Sequence, residues 1–219
     1  QESAHATTYE HRSLATKTFG SIDAKGYLRS YHLFQSNIGA FLPDRKDIHV
    51  LLEKGAHILK QGAGVIEQYC GFLTHADFVP HNFRIVNDTI YLLDHSSIRF
   101  GNKYEGWARF LNFMTLYNRP LEEVLLFYIK NNRTEEEYRA LELMRIYRLG
   151  EIIWFYTSLL AKTSGDLNEL AQARIEFWSQ VLEATTTGKL VSEGIVREYQ
   201  RTRDRLRSPE ERERQKGLH

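Results

Sequence analysis

With 219 residues, 42% of them hydrophobic and 26% charged, the chain has the balance of a globular domain, which excludes a chain disordered as a whole. Lys and Arg number 29 against 28 Asp and Glu, so no global field draws the chain to nucleic acid or anionic lipid, and a nucleic-acid partner is not indicated. One cysteine, Cys70, excludes an intrachain disulfide, and no stretch reaches the ~20 apolar residues of a bilayer span, so a cytoplasmic location is expected.

Residues 1 to about 30 are polar, rich in Ser, Thr and His, and broken by Gly20 and Gly26; they carry little periodic signal. Tyr31 to Phe41 is mildly apolar and stops at Pro43-Asp44. From Asp47 apolar residues recur at threes and fours (Ile48, Leu51, Leu52, Ile58, Leu59, Val65, Ile66, Tyr69), which predicts a helix closed by a small buried Cys70. Gly55, Gly62 and Gly64 weaken that helix by roughly 1 kcal/mol each relative to Ala, and such spacing predicts close packing against another element.

Past Gly71 the period changes. Phe83 to Val86 and Thr89 to Leu93 are β-prone runs around Asn87-Asp88, two residues that tolerate positive φ, and together they predict a β-hairpin. Helices follow. One covers Tyr104 to Tyr117, and a second has Pro120 in its first turn and runs to Lys130. Thr134 and Glu137 make a capping box for a third, which passes Leu141, Met144, Tyr147, Ile152, Phe155 and Leu159 and ends near Ser164-Gly165. A fourth starts at Asp166, with Leu170, Ala173, Phe177, Trp178 and Val181 on one face. From Ser192 the charges alternate in sign, which predicts an exposed helix laced by ion pairs, with a second box at Ser208-Pro209-Glu210-Glu211. The fold class expected is mainly α with a short β-hairpin, one hairpin among about six helices.

The stretch with chemical content is Thr74-His75-Ala76-Asp77-Phe78-Val79-Pro80-His81-Asn82, then the hairpin, then Leu92-Leu93-Asp94. A two-residue turn at Asn87-Asp88 pairs Val86 with Thr89 and sets Asn82 opposite Leu93. Asn82 and Asp94 then meet at the open end of the hairpin, with Asp77 on the loop that enters it. Oxygen ligands with an amide among them suit a hard cation such as Mg²⁺, and a further carboxylate can take a proton from an attacking hydroxyl. Phosphoryl transfer needs that combination. Two other readings compete. In one, Asp77 and Asn82 merely satisfy loop backbone groups. In the other, His75, Asp77, His81, Asp94 and His95 hold zinc or iron for hydrolysis, which leaves Asn82 idle. His81 and His95 read first as exposed loop residues. Trp107, Arg109, Phe110 and Tyr117 read first as core and second as an acceptor pocket, while Arg99 and Lys103 read as solvated loop cations.

His75-Ala76-Asp77, Asn82 and then Asp94 after two short strands resemble the His-x-Asp-x-x-x-x-Asn and Asp signatures of the aminoglycoside phosphotransferase and choline kinase superfamily. This is the small-molecule branch of the protein-kinase-like fold, and the likeness is close over about twenty residues. It implies Asp77 as catalytic base and His75 as the brace of its loop. Asn82 and Asp94 become the ligands of Mg²⁺ and, through it, of ATP or another nucleoside triphosphate. A small-molecule hydroxyl is the acceptor, bound by the helices after Asp94. Ala76 stands where the family has Gly, and His95-Ser96 where it often has Phe-Gly. Neither a glycine-rich nucleotide loop nor a strand Lys paired with a helix Glu precedes His75, and the chain opens on Gln1. The expectation is therefore a C-terminal lobe without its nucleotide lobe, inactive alone. Residues 1–46 would lead from the hinge, 47–191 would form the helical lobe with its catalytic loop and hairpin at 71–101, and 192–219 would be a charged helical tail, a candidate surface for a protein partner. Expected of the full-length protein is ATP-dependent phosphorylation of a small molecule; the alternatives are a non-catalytic kinase-like scaffold and a metal-dependent hydrolase.

Overall fold

The computed structural model describes residues 17–208. Helices α1 (Ala24–Phe41), α2 (Lys46–Gln61) and α3 (Ala63–Gln68) come first, then strands β1 (Phe72–His75), β2 (Phe83–Val86), β3 (Thr89–Leu92) and β4 (Ile98–Gly101). Helices α4 (Glu105–Tyr117), α5 (Arg119–Asn132), α6 (Glu135–Leu160), α7 (Asp166–Thr186) and α8 (Glu193–Leu206) complete the order. The protein is mainly helical with small antiparallel strand pairs. Among the described residues no helix is long and apolar enough to cross a membrane.

Helix α6 is the axis of the fold. Thr134 caps it as the sequence suggests, accepting from the Glu137 amide at 3.1 Å while the Glu137 carboxylate accepts from the Thr134 amide at 3.1 Å. Every residue from Leu143 to Gly150 is buried, so the helix is covered on all sides. Its cover comes from α1, α2, α4 and α7, and α8 in turn lies on α7. Two of the expected close-packing glycines behave as predicted. A Cβ on Gly55 would enter the Tyr31 hydroxyl, and one on Gly62 would come within 2.5 Å of Leu143. Gly64 meets nothing and has no such role.

Four expectations need correction. The polar start conceals α1, which begins at Ala24 with Asp23 as its cap, accepting from the Gly26 amide at 2.8 Å. Its buried stripe is Tyr27, Tyr31, Phe34 and Ile38, a helical spacing diluted by exposed His32, Ser36 and Asn37 between. The helix expected from Asp47 to Cys70 is divided at Gly62 into α2 and α3, and Cys70 lies beyond the α3 cap, half-buried rather than fully so. A second strand pair, β1 with β4, goes unread because each strand has 4 residues and its partner lies across the whole hairpin. Finally, α8 is not exposed all round: it buries Val196, Tyr199, Arg203 and Leu206. The second capping box runs past Ser208 and so lies outside the described residues.

The hairpin follows the sequence. Val86 pairs with Thr89 and Phe83 with Leu92, and Asn87 and Asp88 take φ of 47° and 61°, both left-handed as a two-residue turn requires.

Candidate functional site

The site grows from the ends of the strand pairs. Strands β1 and β4 run in register to His75 opposite Ile98, and the Ala76 amide extends the ladder by donating to Ser97 O at 2.8 Å. The chain then turns through Asp77 and Phe78 to Val79, which is fully buried and anchors the loop. Pro80 starts a single 3₁₀ turn, Pro80–Asn82, that its fixed φ favours. The next residue enters β2. Leu93 N donates to Asn82 O at 2.7 Å, the rung that places Asn82 opposite Leu93 as the hairpin geometry predicts.

Asn82 is buried, and its amide NH₂ donates to Asp77 twice, to the backbone oxygen at 2.7 Å and to Oδ2 at 3.0 Å. One side chain thus fixes both the loop and its carboxylate. From the other side Arg109 on α4 donates through Nε to Asp77 Oδ1 at 2.9 Å. Burial pushes the Asp77 pKa up, but the Arg109 charge and the hydrogen bonds from Arg109 and Asn82 outweigh it, and the pKa lies below the ordinary value. Asp77 is therefore ionised at neutral pH. His75 braces the same loop: it is buried, and its Nε2 donates to Leu93 O at 3.0 Å. A carbonyl can only accept, so Nε2 carries the proton, and Nδ1 is left buried without a hydrogen-bond partner.

Asp94 adopts φ 57° and ψ 61°, left-handed for a residue with a side chain. Its carboxylate is exposed and accepts from the Ser96 and Ser97 hydroxyls, the latter at 2.9 Å. Those two bonds lower its pKa. The structure thus joins the Asp77 and Asn82 side chains directly, whereas Asp94 is tied to them through the Leu93 backbone and turns its carboxylate to local serines. The atoms that suit a hard cation are Asn82 Oδ1, because the amide nitrogen is taken by Asp77, and the Asp94 carboxylate. The zinc or iron alternative fares worse. Among the described residues no three His, Cys, Asp or Glu side chains group as a metal set. His81 is half-exposed with Nε2 3.9 Å from Asp77 Oδ2, and His95 is exposed.

Asp77 lines a cavity of about 610 Å³ bounded by α4, α6, α7 and α8. Helix α4 presents Arg109, Phe113 and Tyr117 to it, one residue per turn. Of the residues the sequence offers for a pocket, Arg109 and Tyr117 line it; Trp107 packs on the core and Phe110 on Phe78. Sequence reasoning missed Phe113, Arg148, Glu151 and, on α7, Arg174 and Trp178. The four-residue spacing of 109, 113 and 117, and of 174 and 178, is the signal that could have found them.

Arg99 and Lys103, expected as solvated loop cations, are both engaged. Lys103 pairs with Glu137 at 3.2 Å, and Arg99 on β4 pairs with Glu105, which is fully buried. Glu105 also accepts from the Tyr27 hydroxyl at 2.7 Å and meets Arg148 at 3.4 Å, so one buried carboxylate ties α1, β4, α4 and α6 together behind the cavity. No protein-family model matches the chain, and no curated protein or solved structure matches it either.

Proposed function

We propose that this chain is the acceptor-binding lobe of a phosphotransferase related to the small-molecule branch of the protein-kinase-like fold. The supporting observation is the ionised Asp77 carboxylate, which faces a substrate-sized cavity while Asn82 and Arg109 hold it in place. In that reading an acceptor hydroxyl docks in the cavity against Asp77. As its oxygen bonds to the γ-phosphorus of a nucleoside triphosphate, Asp77 orients the hydroxyl and takes its proton, and the bond to the nucleoside diphosphate breaks. Asp77 is a weak base with its lowered pKa, so positioning is its larger contribution. Asn82 Oδ1 and Asp94 would hold Mg²⁺, which when bound neutralises phosphate charge. His75 and Arg109 are positioning residues.

The test is transfer of labelled γ-phosphate from ATP·Mg²⁺ to a panel of hydroxyl compounds by the full gene product. Asp77→Ala and Asp94→Ala are each expected to lose activity by roughly 10²-fold or more. Full activity in either variant refutes the assignment.

A second reading, a non-catalytic kinase-like binding module, is favoured by a different observation. The hairpin leaves Ile85 at 73% and Ile90 at 66% exposure, and among the described residues the strands form two-stranded ladders and no larger sheet. It predicts that the full gene product shows no Mg²⁺-dependent nucleotide binding by calorimetry.

A further inference from the structure

The cavity beside Asp77 holds a cation that phosphoryl transfer does not call for. Its charged lining is Arg109, Arg148, Arg174 and Arg207 with Asp77 and Glu151, and His81 and three tyrosines are the other titratable groups on its wall. Asp77 is matched by Arg109 at 2.9 Å, and Glu151 by Arg148 at 2.7 Å, with Glu105 also 3.4 Å from Arg148. Arg174, half-buried on α7, has no such match: among the described residues no carboxylate pairs with it. Its guanidinium lies 4.9 Å from the centre of the Tyr156 ring and donates to the Tyr199 hydroxyl.

Tyrosine rings stabilise a guanidinium without neutralising it. A guanidinium has five N–H donors, so those not turned to the Tyr199 hydroxyl remain for an acceptor in the cavity. A carboxylate matches that fork by two parallel hydrogen bonds, shorter and roughly twice as strong as neutral ones. The rest of the lining is aromatic. Trp178 lies one turn after Arg174, and Phe155 remains 52% exposed at the cavity, apolar surface that a flat ligand would remove from water. An amine, in contrast, would sit among guanidiniums with both lining carboxylates already matched, and would be repelled.

We infer that the cavity takes an aromatic hydroxy acid, with the carboxylate on Arg174, the ring among the aromatic side chains and the hydroxyl towards Asp77. Calling this ligand the phosphoryl acceptor rests on the function proposed above; the preference for an anion over an amine rests on the cavity alone.

Calorimetric titration of the full chain with 3-(4-hydroxyphenyl)propionate, 4-propylphenol and tyramine, which share a phenol and differ in charge, tests it. The acid is expected to bind at least tenfold more tightly than the neutral phenol, with no detectable binding of tyramine, and added salt should weaken only the acid. In Arg174→Gln the acid should fall to the affinity of the neutral phenol, and in Arg174→Lys a part of its advantage should return, with far-UV circular dichroism verifying the fold of both. Equal binding of acid and amine overturns the inference. So does an acid preference that survives in folded Arg174→Gln, or no binding of any of the three. If the acid binds with the stated preference and the full gene product does not phosphorylate it, its assignment as phosphoryl acceptor fails and the anion specificity stands.

Discussion

Replacing Glu105 with Gln should be the most destabilising polar substitution close to the cavity. Glu105 is fully buried between Arg99 and Arg148, with Arg148 Nη1 at 3.4 Å, and it accepts from Tyr27 at 2.7 Å. Gln keeps the shape and can still accept from Tyr27, so the perturbation is close to removal of one charge. At an effective dielectric of 20, one pair at such a distance gains ~5 kcal/mol of Coulomb energy, much of it offset by the cost of dehydrating the ions. Removing the carboxylate does not return that cost, because the Arg148 guanidinium stays buried; the expected net loss is about 3–5 kcal/mol, against a total stability of about 5–15. Urea unfolding at neutral pH, followed by tryptophan fluorescence and circular dichroism, reads it directly. With a slope of ~2 kcal/mol per molar urea, the midpoint should fall by roughly 1.5–2.5 M at unchanged slope. A midpoint shift below about 0.5 M for Glu105→Gln would refute the reasoning.

Gly150→Ala places a methyl against the ring of Tyr31, which is buried between α1 and α6, and should cost about 1–3 kcal/mol in thermal unfolding; Gly64→Ala, with open space around it, should not. Asp77 has a folded-state pKa below its unfolded value, so its contribution is present above roughly pH 4 and is lost as pH falls through the lower folded value. Asp77→Asn should therefore lower stability by ~1 kcal/mol at pH 7, and the gap from the wild type should close towards the acid limit of folding; a gap independent of pH would contradict this. Burial pushes the Cys70 thiol up to about 12, so a disulfide reagent at pH 8 should modify the native chain at least tenfold more slowly than the denatured one.

The parts of the fold that could be read from the sequence are those whose determinants lie within a few residues of each other. Asn87-Asp88 sets the hairpin register because the turn needs two left-handed residues and both flanks are β-prone. Thr134 and Glu137 fix the start of α6 by reciprocal bonds three residues apart. Where the deciding partner is remote, the reading fails. The ladder between β1 and β4 joins residues far apart in the chain, from Phe72 opposite Gly101 to His75 opposite Ile98, and no local turn announces it. Arg99 seemed a solvated cation because nothing in its neighbourhood says that Glu105 is buried by α1 and α6. Asp94 was expected to aim at Asn82, but a left-handed backbone brings the Ser96 and Ser97 hydroxyls within reach first.

The site divides along the same line, and the division bears on what can be learned from it. Asp77, Asn82, His75 and Asp94 fall within twenty residues and are assembled by one loop and one hairpin, so a chemical motif is legible there without knowledge of the fold. The cavity wall comes from α4, α6, α7 and α8, spread from Arg109 to Arg207, and its charge depends on which cations find carboxylates in three dimensions. Arg174 looks like a surface arginine among the acidic residues of its helix until Tyr156 and Tyr199 are seen around it. A motif can thus suggest a reaction class, while the ligand must be argued from the charges that remain after every buried pair has been matched. Binding therefore tests the carboxylate preference, apart from any assay of transfer.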